Sequence, residues 1–297
     1  MSGTASKQAT RWVFEGLNHL ITVGGTGARA VLHELETLLP GWPPREAVRD
    51  LADVSISIDA EPAGFHITER PSGTVSWEPD PFSAAYVLAA GLFENLVSRC
   101  PRSLLLHAGA VAIEGQAIAF AAPAMTGKST LGAACSLAGH PLLGEDRIIA
   151  RFSNSTLEAI PLGLAQKLRM PVPEPLEPRF RGLLDRRPGR RIADSLFLDW
   201  DPETQVAFGE ALPLAAIILL TRDGSVPAKS ATTPKAKAIR EILSLSATPA
   251  GPSQHLNIVR DLVERLPILE VGYESCFDAR EAIVNTARGW GRHDADI

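Results

Sequence analysis

Nine residues carry the sharpest chemical signal in the chain: Ala122, Pro123, Ala124, Met125, Thr126, Gly127, Lys128, Ser129 and Thr130. A phosphate-binding loop of the Walker A type reads Gly, four residues, then Gly-Lys-Ser/Thr. Here the second glycine, the lysine and the hydroxyl pair are present, and alanine stands at the first glycine position. Successive backbone N–H groups of such a loop face phosphate oxygens, helped by the positive end of the following helix. Lys128 would bridge the outer phosphates, and the Ser129 hydroxyl would meet Mg²⁺. Lys128 is also the only lysine between Lys7 and Lys167. The alternative is an ordinary strand–turn–helix, and Ala122 constrains the loop entry in a way glycine would not.

Sixteen residues past Ser129, an apolar segment ends in Glu145-Asp146. A Mg²⁺–nucleotide site needs a carboxylate near the metal. Transfer to a hydroxyl needs a base for the acceptor's proton. Two successive carboxylates at a strand end can divide those tasks; a solvated turn is the plain alternative. His107 follows the apolar run Leu104–Leu106 and by itself reads as a hydrogen-bonded structural histidine.

These groups need a scaffold, and the pattern around them supplies one. Ser103–Leu106, Ala110–Ile113 and Gln116–Ala121 read as strands, with Glu114-Gly115 as a tight hairpin turn. A helix follows the loop to about Ala138. Pro141–Leu143 and Arg147–Phe152 read as strands, and the apolar run Leu214–Leu220 as a central buried strand. Helices near 235–246, 253–265 and 278–288 and a strand at 267–272 complete the chain. Residues 171–191, rich in proline and arginine, read as a long loop. Before all this, 11–23 is strand-like, a glycine-rich turn enters an amphipathic helix, and Val54–Ile58, Gly64–Ile67 and Gly73–Trp77 are short strands. Pro81–Val97 is helical, with Leu88, Leu92 and Leu96 on one face. Two domains are expected: an α+β region over 1–100, with acceptor recognition as its expected role, and an α/β nucleotide-binding catalytic domain over 101–297.

Taken in order, Leu106-His107-Ala108-Gly109-Ala110-Val111, Gly115, Ala122–Leu131 and Leu142-Leu143-Gly144-Glu145-Asp146 resemble the C-terminal domain of HPr kinase/phosphorylase. They resemble still more the HPr-kinase-like proteins found beside peptide-modification genes. The likeness covers mainly 103–160, with Ile160-Pro161-Leu162-Gly163 and Pro213–Leu220 as weaker support. It implies a mixed sheet shared with phosphoenolpyruvate carboxykinases. It also implies an ATP- and Mg²⁺-dependent kinase acting on a serine-type hydroxyl of a peptide, protein or small molecule. By that resemblance Lys128, Ser129 and Thr130 take phosphate and metal, Glu145 is the base, Asp146 is the metal-associated carboxylate and His107 assists. Glu145 stands where the family has aspartate, which moves the carboxylate by about 1.5 Å. A nucleotide-binding regulator without phosphotransfer is the competing expectation.

Composition narrows the partners. The chain has 297 residues with 29 basic and 34 acidic side chains, a formal charge of −5, so it is no general polyanion binder. Neither nucleic acid nor a membrane is an expected partner; a homo-oligomer is compatible with the sequence. Three scattered cysteines (Cys100, Cys135, Cys276) suit a reducing compartment, and the expected location is cytoplasmic. Arg179, Arg181, Arg186, Arg187, Arg190 and Arg191 crowd thirteen residues and read equally as a clamp for phosphate or an acidic substrate and as a solvated loop. Arg169 is a separate candidate cation. Gly25-Thr26-Gly27 mimics a dinucleotide fingerprint, but no βαβ unit with a suitably placed acid on a second strand end is evident, so a tight turn is expected.

Overall fold

The computed structural model describes residues 10–47, 53–70, 72–153, 156–172, 177–224 and 228–291. The chain divides into two compact units, Met1–Arg99 and Cys100–Ile297. No helix among the described residues is long and apolar enough to cross a membrane.

In the first unit, the strand-like stretch 11–23 is a hairpin of β1 (Trp12–Gly16) and β2 (His19–Gly24). Leu17 and Asn18 both adopt positive φ, 50° and 64°, the geometry that turns a chain in two residues. Helix α1 (Ala28–Leu38) follows, then β3 (Arg45–Glu46), β4 (Ile56–Glu61), β5 (Gly64–Glu69), β6 (Val75–Glu78) and α2 (Pro81–Ser98). Asp80 caps α2 by accepting from the N–H groups of Phe82 and Ser83, both at 2.9 Å, with Pro81 in the first turn. The sheet runs β3-β1-β2-β4-β5-β6.

Strands β2 and β4 are parallel, so a βαβ crossover does surround Gly25-Thr26-Gly27. The pattern hid it because β2 and β4 share only two register pairs, Val23 with Ile56 and Gly24 with Ser57. The glycine turn is nonetheless consumed by packing. Gly25 has φ +111°, and a Cβ there would sit 2.2 Å from Ile58 O. The Gly27 N–H already donates to that same oxygen at 2.9 Å.

The second unit opens with β7 (Ser103–Leu106), β8 (Ala108–Ile113) and β9 (Gln116–Ala121), followed by α3 (Lys128–Leu137). Next come β10 (Leu142–Gly144), β11 (Ile148–Ser153), β12 (Thr156–Pro161), β13 (Lys167–Arg169), α4 (Glu177–Arg186), β14 (Arg190–Ile192) and β15 (Ser195–Phe197). The chain then forms β16 (Leu212–Thr221), β17 (Lys229–Thr232), α5 (Lys235–Ser244), β18 (Ser246–Ala247), α6 (Pro252–Arg265), β19 (Ile268–Gly272) and α7 (Cys276–Gly291). The main sheet is mixed: β10-β8-β9-β16-β12-β11-β7-β18, with β19 on β16 and β17 on β19. The β9–β16 and β16–β19 pairs are parallel.

Both faces of this sheet are covered, which explains the unbroken apolar runs. Along β9, Ala117, Ala119 and Ala121 join one core cluster while Ile118 and Phe120 join the other. Along β16, Leu214, Ile217 and Leu219 lie in the first, and Ala216, Ile218 and Leu220 in the second. The first cluster takes Ala238 and Ile242 from α5 and Ile258, Val259 and Leu262 from α6. The second takes Leu131 from α3 and Ile283 from α7.

The 171–191 stretch is not one long loop. It contains α4 and the strand β14, the latter part of a three-stranded sheet β13-β15-β14. Charged residues dominate α4, yet Phe180 and Leu183, three apart, are buried against Ala133 and Ala134 of α3. That short apolar stripe is easily lost among arginines.

Candidate active site

Strand β9 delivers residues 122–127 at its carboxyl end, and α3 carries the chain away. Gly127 caps α3 at φ +103°, and no side chain caps the helix. The first-turn N–H groups of a helix have no intrahelical partner, so this uncapped end is suited to an anion. Glycine is required on two counts. Its φ is left-handed, and a Cβ would lie 2.9 Å from Tyr273 Oη and 3.6 Å from Arg222 Nη2. Tyr273, wholly buried past the end of β19, donates its hydroxyl to Thr126 O at 2.5 Å. The Thr126 hydroxyl donates to Pro123 O at 2.8 Å.

Lys128 curls back over its own loop. Its Nζ donates to Ala122 O at 2.7 Å and Pro123 O at 3.1 Å. Only 7% of Lys128 is exposed, and burial pushes its ammonium pKa down. Ala122 is buried and supplies a carbonyl; Met125 is 75% exposed at the loop tip with φ +70°.

Strand β10 pairs with β8 and ends at Glu145-Asp146, beside α3. The two carboxylates diverge. Glu145 is 5% exposed, and the Ser129 hydroxyl donates to its Oε1 at 2.5 Å. Burial drives its pKa up to about 7, against the opposing pull of the Ser129 bond and of Lys167 and Lys128. The Asp146 side chain is 44% exposed, and His107 Nε2 lies 3.0 Å from its Oδ1. That hydrogen bond, more than the nearby cations, holds Asp146 at about 2 despite partial burial. His107 occupies the single residue between β7 and β8, and its N–H donates to Leu245 O at 2.7 Å. Ser129 thus meets Glu145, and His107 meets Asp146.

Three cations near the loop were not read from the sequence as a group. Lys167 on β13 acts electrostatically on Lys128, Glu145 and Asp146 together. Arg169 places its guanidinium against Met125 Sδ and keeps Nε 3.2 Å from Asp194. Arg222, just past β16, lies over the Tyr273 ring at 5.6 Å. The one available signal was the scarcity of lysine, which Lys167 shares with Lys128.

The arginine cluster separates into different jobs. Arg187 is 3% exposed and structural: Nε donates to Asp199 O at 2.7 Å, Nη1 to Gln166 at 2.7 Å and Thr204 at 3.2 Å, and Nη2 to Gln205. Arg179 stacks over Phe277 at 4.3 Å. A six-arginine clamp is therefore ruled out for Arg187 at least.

No group of three His, Cys, Asp or Glu side chains able to hold a metal occurs among the described residues. The oxygen donors Ser129, Glu145 and Asp146 suit a different arrangement. Mg²⁺ takes one or two protein carboxylates and completes its shell with water and phosphate oxygens. A buried carboxylate whose hydrogen-bond partner is a neutral hydroxyl has the chemistry to receive such a cation.

Neither a known family model nor a curated protein matches the chain. Among solved structures it is similar to the HPr(Ser) kinase/phosphatase from Coxiella burnetii, at 12% identity and a TM-score of 0.37. That similarity covers 65% of this chain and 95% of the other.

Proposed function

We propose that the second unit is an ATP- and Mg²⁺-dependent kinase that phosphorylates a serine-type hydroxyl. The observation that carries this reading is the convergence of Lys128 and Ser129, at an uncapped helix N-terminus, with Glu145, Asp146 and His107. The first-turn amides of α3 receive the triphosphate. Lys128 exchanges the carbonyls of Ala122 and Pro123 for phosphate oxygens, relieving its burial. Ser129 and Glu145 are the groups that would hold Mg²⁺, which when bound would neutralise charge on the phosphoryl oxygens.

The acceptor oxygen forms a bond to the γ-phosphorus as the bond from that phosphorus to the β–γ bridging oxygen breaks, and ADP leaves. Asp146, held by His107 and open to solvent, accepts the hydroxyl proton. Its low pKa is no obstacle, because phosphoryl transfer is governed by positioning and charge and kinases use an aspartate here. Glu145, tied to Ser129 and buried, serves the metal side. This reverses the roles expected from the sequence, because Ser129 meets Glu145 and His107 meets Asp146.

The test is transfer of label from γ-³²P-ATP to hydroxyl-bearing peptides, with wild type beside Asp146→Asn. Transfer by wild type, lost in the variant while nucleotide binding persists, supports the kinase. Nucleotide binding with no transfer to any peptide or small hydroxyl compound supports a regulator instead.

A further inference from the structure

The small sheet beside the loop carries three basic residues on one face, around the buried Phe197, and one, Arg191, on the other. Lys167 and Arg190 are each register partners of Phe197, so all three share a face. Arg169, two residues along β13 from Lys167, shares that face as well. On the opposite face Leu168 is buried with Ala133, Ala134 and Phe180. Arg169 and Arg190 are exposed, while Lys167 is half-buried and acts on Glu145, Asp146 and Lys128. Asp194 is an acidic neighbour, paired to Arg169. The chain as a whole is acidic, so this face is a local exception.

We propose that this basic face is the acceptor-binding surface and that the acceptor is an acidic peptide segment flanking the hydroxyl. The inference rests on the kinase reading above and names its substrate class. Spacing decides for a segment over a single oxyanion. Lys167 and Arg169 are roughly 7 Å apart along β13, and Lys167 and Arg190 roughly 10 Å apart across β15. The side chains do not converge on one point, since Arg169 lies at Met125 and Asp194 while Lys167 acts electrostatically on the carboxylates. Several carboxylates spread along an extended chain match that layout; one phosphate does not. Of the three, Lys167 is the one that acts electrostatically on Glu145 and Asp146, so the peptide's hydroxyl would lie at that end.

The experiment is fluorescence anisotropy with the full chain and three labelled peptides: a serine flanked by glutamates, by glutamines or by lysines. Each is measured with and without Mg²⁺-ADP, at 20 and 300 mM salt. The glutamate peptide is expected to bind at least tenfold tighter than the glutamine peptide at low salt, with the preference shrinking at high salt. The variant Arg190→Gln should lose severalfold of that preference while ADP affinity, measured by calorimetry, stays within twofold. Equal binding of glutamate and glutamine peptides by wild type overturns the proposal, whatever the variant does. So does displacement of the acidic peptide by millimolar inorganic phosphate, which would indicate a single-oxyanion site. Failure of wild type to bind ADP would instead count against the kinase reading, leaving the peptide comparison without nucleotide to judge the surface.

Discussion

The Ser129 hydroxyl donates to Glu145 Oε1 at 2.5 Å, joining the first turn of α3 to the tip of β10 across sixteen residues of sequence. This contact buries a carboxylate beside a hydroxyl rather than a cation, and its first consequence is for stability. Glu145 has a folded pKa of about 7 against an ordinary 4.5, raised by burial. A carboxyl that binds its proton more tightly when folded contributes stability below pH 4.5 that is lost as pH rises through 7. With metal removed by EDTA, wild type should therefore weaken from pH 5 to pH 8. Glu145→Gln keeps an acceptor for Ser129 and cannot ionise. Its unfolding free energy should exceed that of wild type by about 2–3 kcal/mol at pH 8 and match it near pH 5. Urea melts at the two pH values check this; a constant gap would show that Glu145 does not titrate there.

His107 and Asp146 form the outward half of the site, with 35% and 44% of their side chains exposed. If Asp146 takes the acceptor proton, Asp146→Asn should lower kcat by roughly 10²–10⁴-fold with little change in ATP affinity. His107→Gln retains a donor and should cost less, on the order of tenfold, because it orients rather than accepts. Single-turnover kinetics with a cognate hydroxyl peptide would separate these outcomes. Equal losses in ATP affinity and kcat would place the pair in binding instead.

Tyr273 and Gly127 are coupled through one atom, the tyrosine hydroxyl. Gly127→Ala forces a Cβ into a left-handed residue 2.9 Å from that hydroxyl and should destabilise by about 1–3 kcal/mol. Tyr273→Phe loses the bond to Thr126 O and should cost roughly 1 kcal/mol. The double variant should be less destabilised than the two singles summed, since removing the hydroxyl opens space for the methyl. Thermal melts of the four proteins measure the coupling, and strict additivity would contradict it.

The strand–loop–helix, the acidic pair and His107 were legible because each lies at the end of an apolar run with period-two packing on both sides. Leu214–Leu220 was legible for the same reason, since β16 is buried on both faces. What escaped was structure held by few apolar residues. Helix α4 buries little more than Phe180 and Leu183 amid charge, and β13 and β14 are three residues each. The inward turn of Arg187 escaped too, because nothing local marks one arginine of six as the one bonded to Gln166, Gln205 and the Asp199 carbonyl. Which carboxylate meets Ser129 is likewise a matter of backbone direction, set by Asp146 at φ +65°, and not of spacing.

Nucleotide affinity of the full chain at millimolar Mg²⁺, measured by calorimetry with ATP and ADP, probes the central claim most directly. Wild type should give heat for a single site. Lys128→Ala should bind roughly 10- to 100-fold more weakly, the loss of a charged hydrogen bond to phosphate. Absence of heat with either nucleotide, or equal affinity in the Lys128→Ala protein, would contradict a phosphate site at the head of α3.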